Sequence, residues 1–301
     1  MDLQRWHAEP MADVSHRLGE GPHWDADRGR LSWVDIVAGE LWAEEGGVER
    51  RLVLGDDLGV AVPHEAGGWV CGLGAGLARV AEDGAVVHRL ALEPAGVRMN
   101  DGKCDSAGRF FVGSKAYDND PGAGSLWRLD LDGTVSRVLV GLTISNGLGW
   151  SPDDSVMYVT DSGAGRIDAF AYDVTAGVLR ARRPFLQAAP GDGSPDGLTV
   201  DAEGCVWAAF WDAGAVRRYA PDGRLVGQVD VDASLSTSCT FAGPDLQTLV
   251  VTSAWDELSE EQRSAQPLAG RRFAVDVGVR GRPGQACRVV EQPWAQPVAS
   301  S

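Results

Sequence analysis

The sequence predicts an all-β fold, a six-bladed β-propeller with four-stranded blades, and three observations carry that prediction. A turn rich in Asp, Gly or Pro, followed by a short apolar strand and another turn and strand, recurs six times along the 301 residues. Successive copies lie roughly 40 to 50 residues apart, the period of a four-stranded propeller blade. Helix signal is almost absent: only Glu257 to Gln266 lacks breakers and favours a short helix.

The first copy is Asp25-Ala-Asp-Arg-Gly-Arg-Leu-Ser-Trp33, and a weaker one, His64-Glu-Ala-Gly-Gly-Trp69, follows it. The third is Asp105-Ser-Ala-Gly-Arg-Phe-Phe111 and the fourth Ser151-Pro-Asp-Asp-Ser-Val-Met-Tyr158. Asp201-Ala-Glu-Gly-Cys-Val-Trp207 and Gly243-Pro-Asp-Leu-Gln-Thr-Leu249 complete the series. Inside a copy, Trp127-Arg-Leu-Asp130 alternates apolar and polar residues and runs into Leu131-Asp-Gly-Thr134, a tight hairpin turn. Ile167 to Phe170, and Val216 to Tyr219 with Pro221-Asp-Gly223, repeat that arrangement. A β-sandwich or two stacked barrels would not need six near-equal periods. The expected organisation is one domain over 1–301, with the first strand, before Leu18, pairing near Phe273 and Val289 to close the ring. Trp24, Trp33, Trp69, Trp127, Trp150 and Trp207 sit at repeat positions and read as core, whereas Trp211 is placed to edge the central channel.

Composition narrows the function classes. With 27 basic and 43 acidic side chains the net charge is −16, a field that repels phosphate backbones and anionic lipid. Nucleic acid and membrane surfaces are therefore not expected partners, and the acidity reads first as solubility. The five cysteines, Cys71, Cys104, Cys205, Cys239 and Cys287, form no Cys-x-x-Cys pair, which fits reduced thiols and a cytoplasmic setting. Met1 to Pro10 lacks the apolar core of a signal peptide, and no apolar run approaches the ~20 residues that span a bilayer.

Chemistry concentrates where oxygen-bearing side chains sit among glycines. Glu20 lies before the first repeat turn, Asn100 and Asp101 before the third, Asn146 before the fourth and Asp196 before the fifth, each by about the same number of residues. Loops at one end of a propeller channel converge on its axis, so residues at one phase of several repeats can meet. Carboxylate and amide oxygens without sulfur suit calcium, magnesium or manganese, and sometimes zinc or iron(II). His7, His16, His23, His64 and His88 show no paired spacing and read as structural or surface residues. Singly, Asn146 reads as a turn residue, because Asn and Gly tolerate positive φ; its shared phase with the others reverses that reading. Lys103 and Asp105 read as a structural pair bracing their loop.

Leu18-Gly-Glu-Gly-Pro-His-Trp24, Arg98-Met-Asn-Asp-Gly-Lys-Cys-Asp105 and Ile144-Ser-Asn-Gly-Leu148, with Tyr158-Val-Thr-Asp-Ser162 and Pro195-Asp-Gly-Leu198, resemble the successive signatures of the regucalcin/gluconolactonase family. The resemblance runs from about Val14 to about Val279. It implies a propeller with one divalent metal in the channel and hydrolysis of a small-molecule sugar lactone, by a monomer or weak oligomer. By matching positions it implies Glu20, Asn146 and Asp196 as metal ligands and Asp196 as general base. A ligand carboxylate loses basicity to the cation, so Asp196 could act as base only through its non-ligating oxygen, and Asp101 beside it is the second candidate for that role. Arg98 and Asn100 match residues that hold the lactone, and Asp120 matches an acidic substrate contact across a variable loop. Phe111-Val-Gly-Ser-Lys115 departs from the pattern by putting an ammonium where Met is common. That group would recognise a carboxylate or phosphate, or point to solvent. The same residues leave two alternatives: a hydrolase of another ester or organophosphate, and a divalent-cation-binding propeller without catalysis.

Overall fold

Alternating short strands and glycine-rich turns fold into six sheets, and each sheet is one blade. The structure, a computed structural model, describes residues 3–291 and Trp294. The innermost strands are Gly19–Asp25, Leu58–Pro63, Val97–Cys104, Ser145–Trp150, Ser194–Val200 and Ser236–Ala242, in blades 1 to 6. In blades 1 to 5 three further strands follow each, stepping outward by antiparallel pairing, whereas in blade 6 two follow and the outermost strand comes from the N-terminal segment. Solvent contact rises along that path: Leu58–Pro63 is buried throughout, whereas the outermost strand of blade 1, Val48–Val53, is almost wholly exposed.

Apolar side chains fill the wedges between blades. Leu31 and Trp33 of blade 1 pack with Ala242 and Val250 of blade 6. Phe111 and Leu126 of blade 3 meet Leu148 and Met157 of blade 4, and Trp207 of blade 5 meets Phe241 of blade 6 edge-on at 5.7 Å between ring centroids. Each fully buried Leu or Phe contributes about 1.5–3 kcal/mol by leaving water. Of the repeat tryptophans, Trp33, Trp69, Trp127, Trp150 and Trp207 are buried as expected, while Trp24 is half-buried at the base of the ring.

Ring closure departs from the expectation in one partner. Glu9 and Pro10 pair with Ala274 and Phe273 to supply the fourth strand of blade 6, so the Phe273 end is as predicted. Pro10 is tolerated there because this strand lies at a sheet edge and needs no further ladder donor. Val289 is not part of that seam. Its segment runs beside blade 2, where Cys287 bridges His64 and the His64 ring contacts the Val289 carbonyl at 2.9 Å. Val289 is drawn there by the apolar wedge between blades 2 and 3. Gln4–His7 adds a parallel fifth strand to blade 5. The expected helix is shorter than its breaker-free run: it spans Glu260–Ala265, because Ser259 and Gln262 form a reciprocal capping box that starts it there. Among the described residues no helix is long and apolar enough to cross a membrane.

Candidate metal centre and substrate pocket

All six innermost strands break register with their neighbour at one level, between Glu20 and His23, Leu58 and Val60, Met99 and Gly102, Ser145 and Leu148, Pro195 and Leu198, and Ser236 and Ser238. A bulge re-aims the side chains at the break, and here it does so on every inner strand around the channel. The residues at or beside the six breaks are Glu20, Gly59, Asn100 with Asp101, Asn146, Asp196 and Thr237. The common phase expected of Glu20, Asn100, Asn146 and Asp196 therefore corresponds to one level of the channel. They lie within inner strands, not in loops at its mouth.

Close approach of these strands explains the glycines that follow. A Cβ on Gly147 would stand 2.5 Å from the Asp196 carbonyl oxygen, and one on Gly197 would stand 2.1 Å from Ser238 Oγ. Neither residue has a positive φ. Asn146-Gly147 is thus not a turn; the glycine is required because the neighbouring blade fills the space of a side chain.

A cavity of about 290 Å³ opens at this level, with Glu20, Arg98, Asn100, Lys115, Asn146 and Asp196 on its polar wall. Leu18, Ile36, Ile144 and Trp211 supply apolar surface, and Trp211 edges the channel as anticipated. Asn146 Nδ2 donates to Ser162 Oγ at 3.0 Å, which fixes the amide. Arg98 Nη1 donates to Asn100 Oδ1 at 2.8 Å and to the Met99 carbonyl at 2.9 Å, while Asn100 Nδ2 donates to the Ser145 carbonyl. These bonds hold the Arg98 and Asn100 pair rigid against blade 4.

Asp101 and Asp120 are placed differently from that group. Asp101 lies outside the pocket lining, on the side of Lys103, with Oδ1 accepting from the Gly102 amide at 2.6 Å. Asp120 is exposed, and Asn119 is the residue of that loop which lines the pocket. Lys103 and Asp105 are not a pair. Lys103 Nζ donates to the Leu198 carbonyl at 2.6 Å, whereas Asp105 accepts from Arg109 Nη1 at 3.0 Å and the Tyr172 hydroxyl at 2.6 Å. The inner strand ends at Cys104, and Asp105 opens the turn to Arg109, so its carboxylate meets Arg109 and Tyr172 rather than Lys103. Ser162 and Glu257 also reach the pocket. Ser162 ends the Tyr158-Val-Thr-Asp-Ser162 run, so the sequence carried a signal for it, whereas Glu257 lies in a turn that carries none.

Electrostatics single out the channel. Burial first, and then the Asp101 carboxylate, raise the Glu20 pKa to about 8, against opposing help from the Gly21 amide, Arg98 and Lys103. Asp196 is raised well above the ordinary carboxylate range by burial, Glu20 and Asp101, offset in part by Lys115 and Asn146. Burial raises Asp101 as well. Asn146 Oδ1, Asp196 Oδ1 and Asp101 Oδ2 are buried without a hydrogen-bond partner. Buried acceptors are normally satisfied, and buried carboxylates are normally paired. A hard divalent cation fits this donor set: it would take the orphaned oxygens of Asn146 and Asp196 together with Glu20 and cancel the repulsion between the carboxylates.

A second cluster, Asp201, Glu203 and Cys205, has ligand atoms within 4.8 Å of one another, but it is already satisfied. Asp201 accepts from the Glu203 and Cys205 amides, Trp207 Nε1 and Arg218. Burial also pushes the Cys205 thiol up to about 11, away from the thiolate that binds metals.

Comparison with known proteins agrees with this geometry. Residues 18–255 match the family described as SMP-30/Gluconolactonase/LRE-like region. The chain is 36% identical over 280 residues to the pentonolactonase XacC of Haloferax volcanii, covering 91% of this chain and 95% of that protein. It is 34% identical over 272 residues to a 6-deoxy-6-sulfogluconolactonase of Pseudomonas putida, covering 88% and 92%. A calcium-binding protein, regucalcin, from Agrobacterium tumefaciens superposes with a TM-score of 0.91 at 26% identity over 96% of this chain and all of that one. With the repeat, the bulged channel and the satisfied match over most of its length, the chain belongs to the SMP-30/gluconolactonase/LRE-like family.

Proposed function

We propose that this protein is a metal-dependent lactonase that opens a sugar lactone, such as glucono-, xylono- or arabinonolactone, to the aldonic acid. The observation that carries this reading is the meeting, in one cavity, of orphaned carboxylate and amide oxygens with the rigid Arg98–Asn100 pair. Relatives named as a pentonolactonase and a sulfogluconolactonase support the substrate class.

Glu20, Asn146 and Asp196 would hold one divalent ion, of calcium, zinc, manganese, magnesium or iron(II). When bound, it supplies Lewis acidity for the ester carbonyl and stabilises the negative charge that develops on its oxygen. Arg98 and Asn100 bind and orient the lactone through donors already fixed by the backbone, so little orientation is lost at reaction. The Asp196 carboxylate oxygen that does not ligate the ion would take the proton of the attacking water; such general-base help is typically worth ~10²–10⁴-fold. The water oxygen bonds to the carbonyl carbon, the ring C–O bond breaks, and the proton held on Asp196 passes to the departing ring oxygen. Asp101 does not line the pocket, so Asp196 is preferred as base. Five buried, unpaired cysteines suit a reducing cytoplasm.

The test is lactone hydrolysis by metal-stripped protein across a panel of aldonolactones, with each cation restored separately. Metal-restored turnover well above the spontaneous rate supports the proposal and ranks sugar and cation together. Cation binding without turnover of any lactone would overturn it and leave a binding propeller or a hydrolase of another ester.

A further inference from the structure

Two of the 27 basic side chains are lysines, Lys103 and Lys115, and both face the channel. Lys103 is accounted for by the Leu198 carbonyl and by the Asp101 and Glu20 carboxylates near it. Lys115 is not. Its cross-strand partner in blade 3 is Arg98, so two cations stand opposite each other in one pocket, an arrangement that is destabilising. Among the described residues neither has a carboxylate within 4.0 Å, and Lys115 donates no side-chain hydrogen bond. Arg98 is buried with only neutral acceptors.

A structural task does not explain Lys115. In blades 1 and 4 the residue before Glu20 or Asn146 pairs with an aspartate, Gly19 with Asp35 and Ser145 with Asp161, and the counterpart in blade 3 is Ser114, opposite Met99. Asp35 accepts from the Arg17 and Leu18 amides, and Asp161 from the Thr143 and Ile144 amides. Each aspartate therefore ties down the segment that leads into its inner strand. Lys115 stands one residue further along, opposite Arg98, at the phase that Trp211 holds opposite Ser194 in blade 5, and like Trp211 it lines the cavity, where it presents an ammonium. The other charged groups around it are Arg98, Asp196 and the exposed rim residue Glu257. Burial and Arg98 lower its pKa, and the two carboxylates only partly offset them.

We propose that the physiological substrate is an anionic sugar lactone, one bearing a carboxylate, phosphate or sulfonate away from the ester, and that Lys115 reads this group beside Arg98. An anion there would pair both cations, which a neutral aldonolactone leaves unpaired. The inference rests on the lactonase reading and names its substrate class.

The experiment compares kcat/KM of the metal-loaded protein for a neutral hexonolactone and for its 6-phosphate, 6-sulfonate and 6-carboxylate counterparts. At least one charged lactone should exceed the neutral parent by about 10-fold or more, the gain of a charge-assisted contact, and the arm that wins identifies the anion. Lys115→Met should remove that preference and Lys115→Arg should keep part of it. Turnover of the neutral lactone with no gain for any charged one overturns the inference and leaves the lactonase reading standing. If no lactone is turned over, the lactonase reading fails, and Lys115 is judged by amine-reactive labelling of the wild-type protein with peptide mapping. Open-chain 6-phosphohexonate should slow labelling at Lys115 several-fold relative to an uncharged hexitol. Equal labelling with both would overturn the anion site.

Discussion

Asp196 and Asp201 stand five residues apart on blade 5, and both carboxylates are hidden from solvent, at 5% and 0% exposure. Their surroundings are opposite. Asp201, at the lower end of the inner strand, accepts from two backbone amides, an indole and a guanidinium. Asp196, at the channel level, has an orphaned oxygen and two other carboxylates near it. Blade 3 repeats the contrast, with Asp105 held by Arg109 and Tyr172 while Asp101 keeps one oxygen unpartnered. Burial of a carboxylate is therefore uninformative by itself; what separates a structural acid from a candidate ligand is whether its acceptors are satisfied.

The largest effect should come from Asp196→Asn. Metal binding by calorimetry should be lost and kcat/KM should fall by at least ~100-fold, while melting in chelator should not fall, because a repelled charge has been removed. A metal-replete, active variant would break the distinction. Asp201→Asn should do the reverse. Denaturant unfolding should show a loss of about 1.5–3 kcal/mol, since Arg218 would keep only its ion pair with the exposed Glu203 carboxylate, and turnover per folded molecule should hold. An unchanged midpoint would show that Asp201 contributes no stability.

Next in size is a pH effect confined to the metal-stripped protein. Glu20 has a folded pKa of about 8, above its ordinary 4.5, so its contribution is present below pH 4.5 and is lost as pH rises through 8. His16 and His23 act the other way, because burial lowers them to about 4 and about 3; their contribution is lost as pH falls below 6.5. Between pH 6.5 and 8.5 the chelated protein should thus melt progressively lower. An added divalent cation should raise the melting temperature more at the upper end, where its ligands are ionised. A flat chelated profile across that window would show that the channel acids do not repel. The smallest effect is expected at Asp120→Ala, where the exposed side chain lies outside the pocket: kcat/KM should stay within about twofold, as for most surface substitutions. A tenfold loss would restore Asp120 as a substrate contact.

Much of this architecture was legible in the order of the residues. The repeat spacing located every blade, and the shared phase of Glu20, Asn100, Asn146 and Asp196 anticipated that they line one channel. Local pattern misled where the partner is distant in sequence. Lys103 beside Asp105 looks like an ion pair, but its acceptor, Leu198, is contributed by blade 5. Val289 looks like a closing strand, yet the wedge between blades 2 and 3 is the better place for its side chain. Asn146-Gly147 has the composition of a turn, and only the approach of the Asp196 backbone reveals why glycine is needed.

The sequence by itself determined the number of blades, the class of the fold and the residue types available at the channel, because periodic burial and turn chemistry act over a few residues. The tertiary structure alone decided which acids are satisfied and which are left to a cation, that Asn119 and not Asp120 reaches the pocket, and that Lys115 faces Arg98. Those outcomes depend on bulges that re-aim side chains and on neighbours brought close by ring closure, and the energy of a buried charge is set by such neighbours.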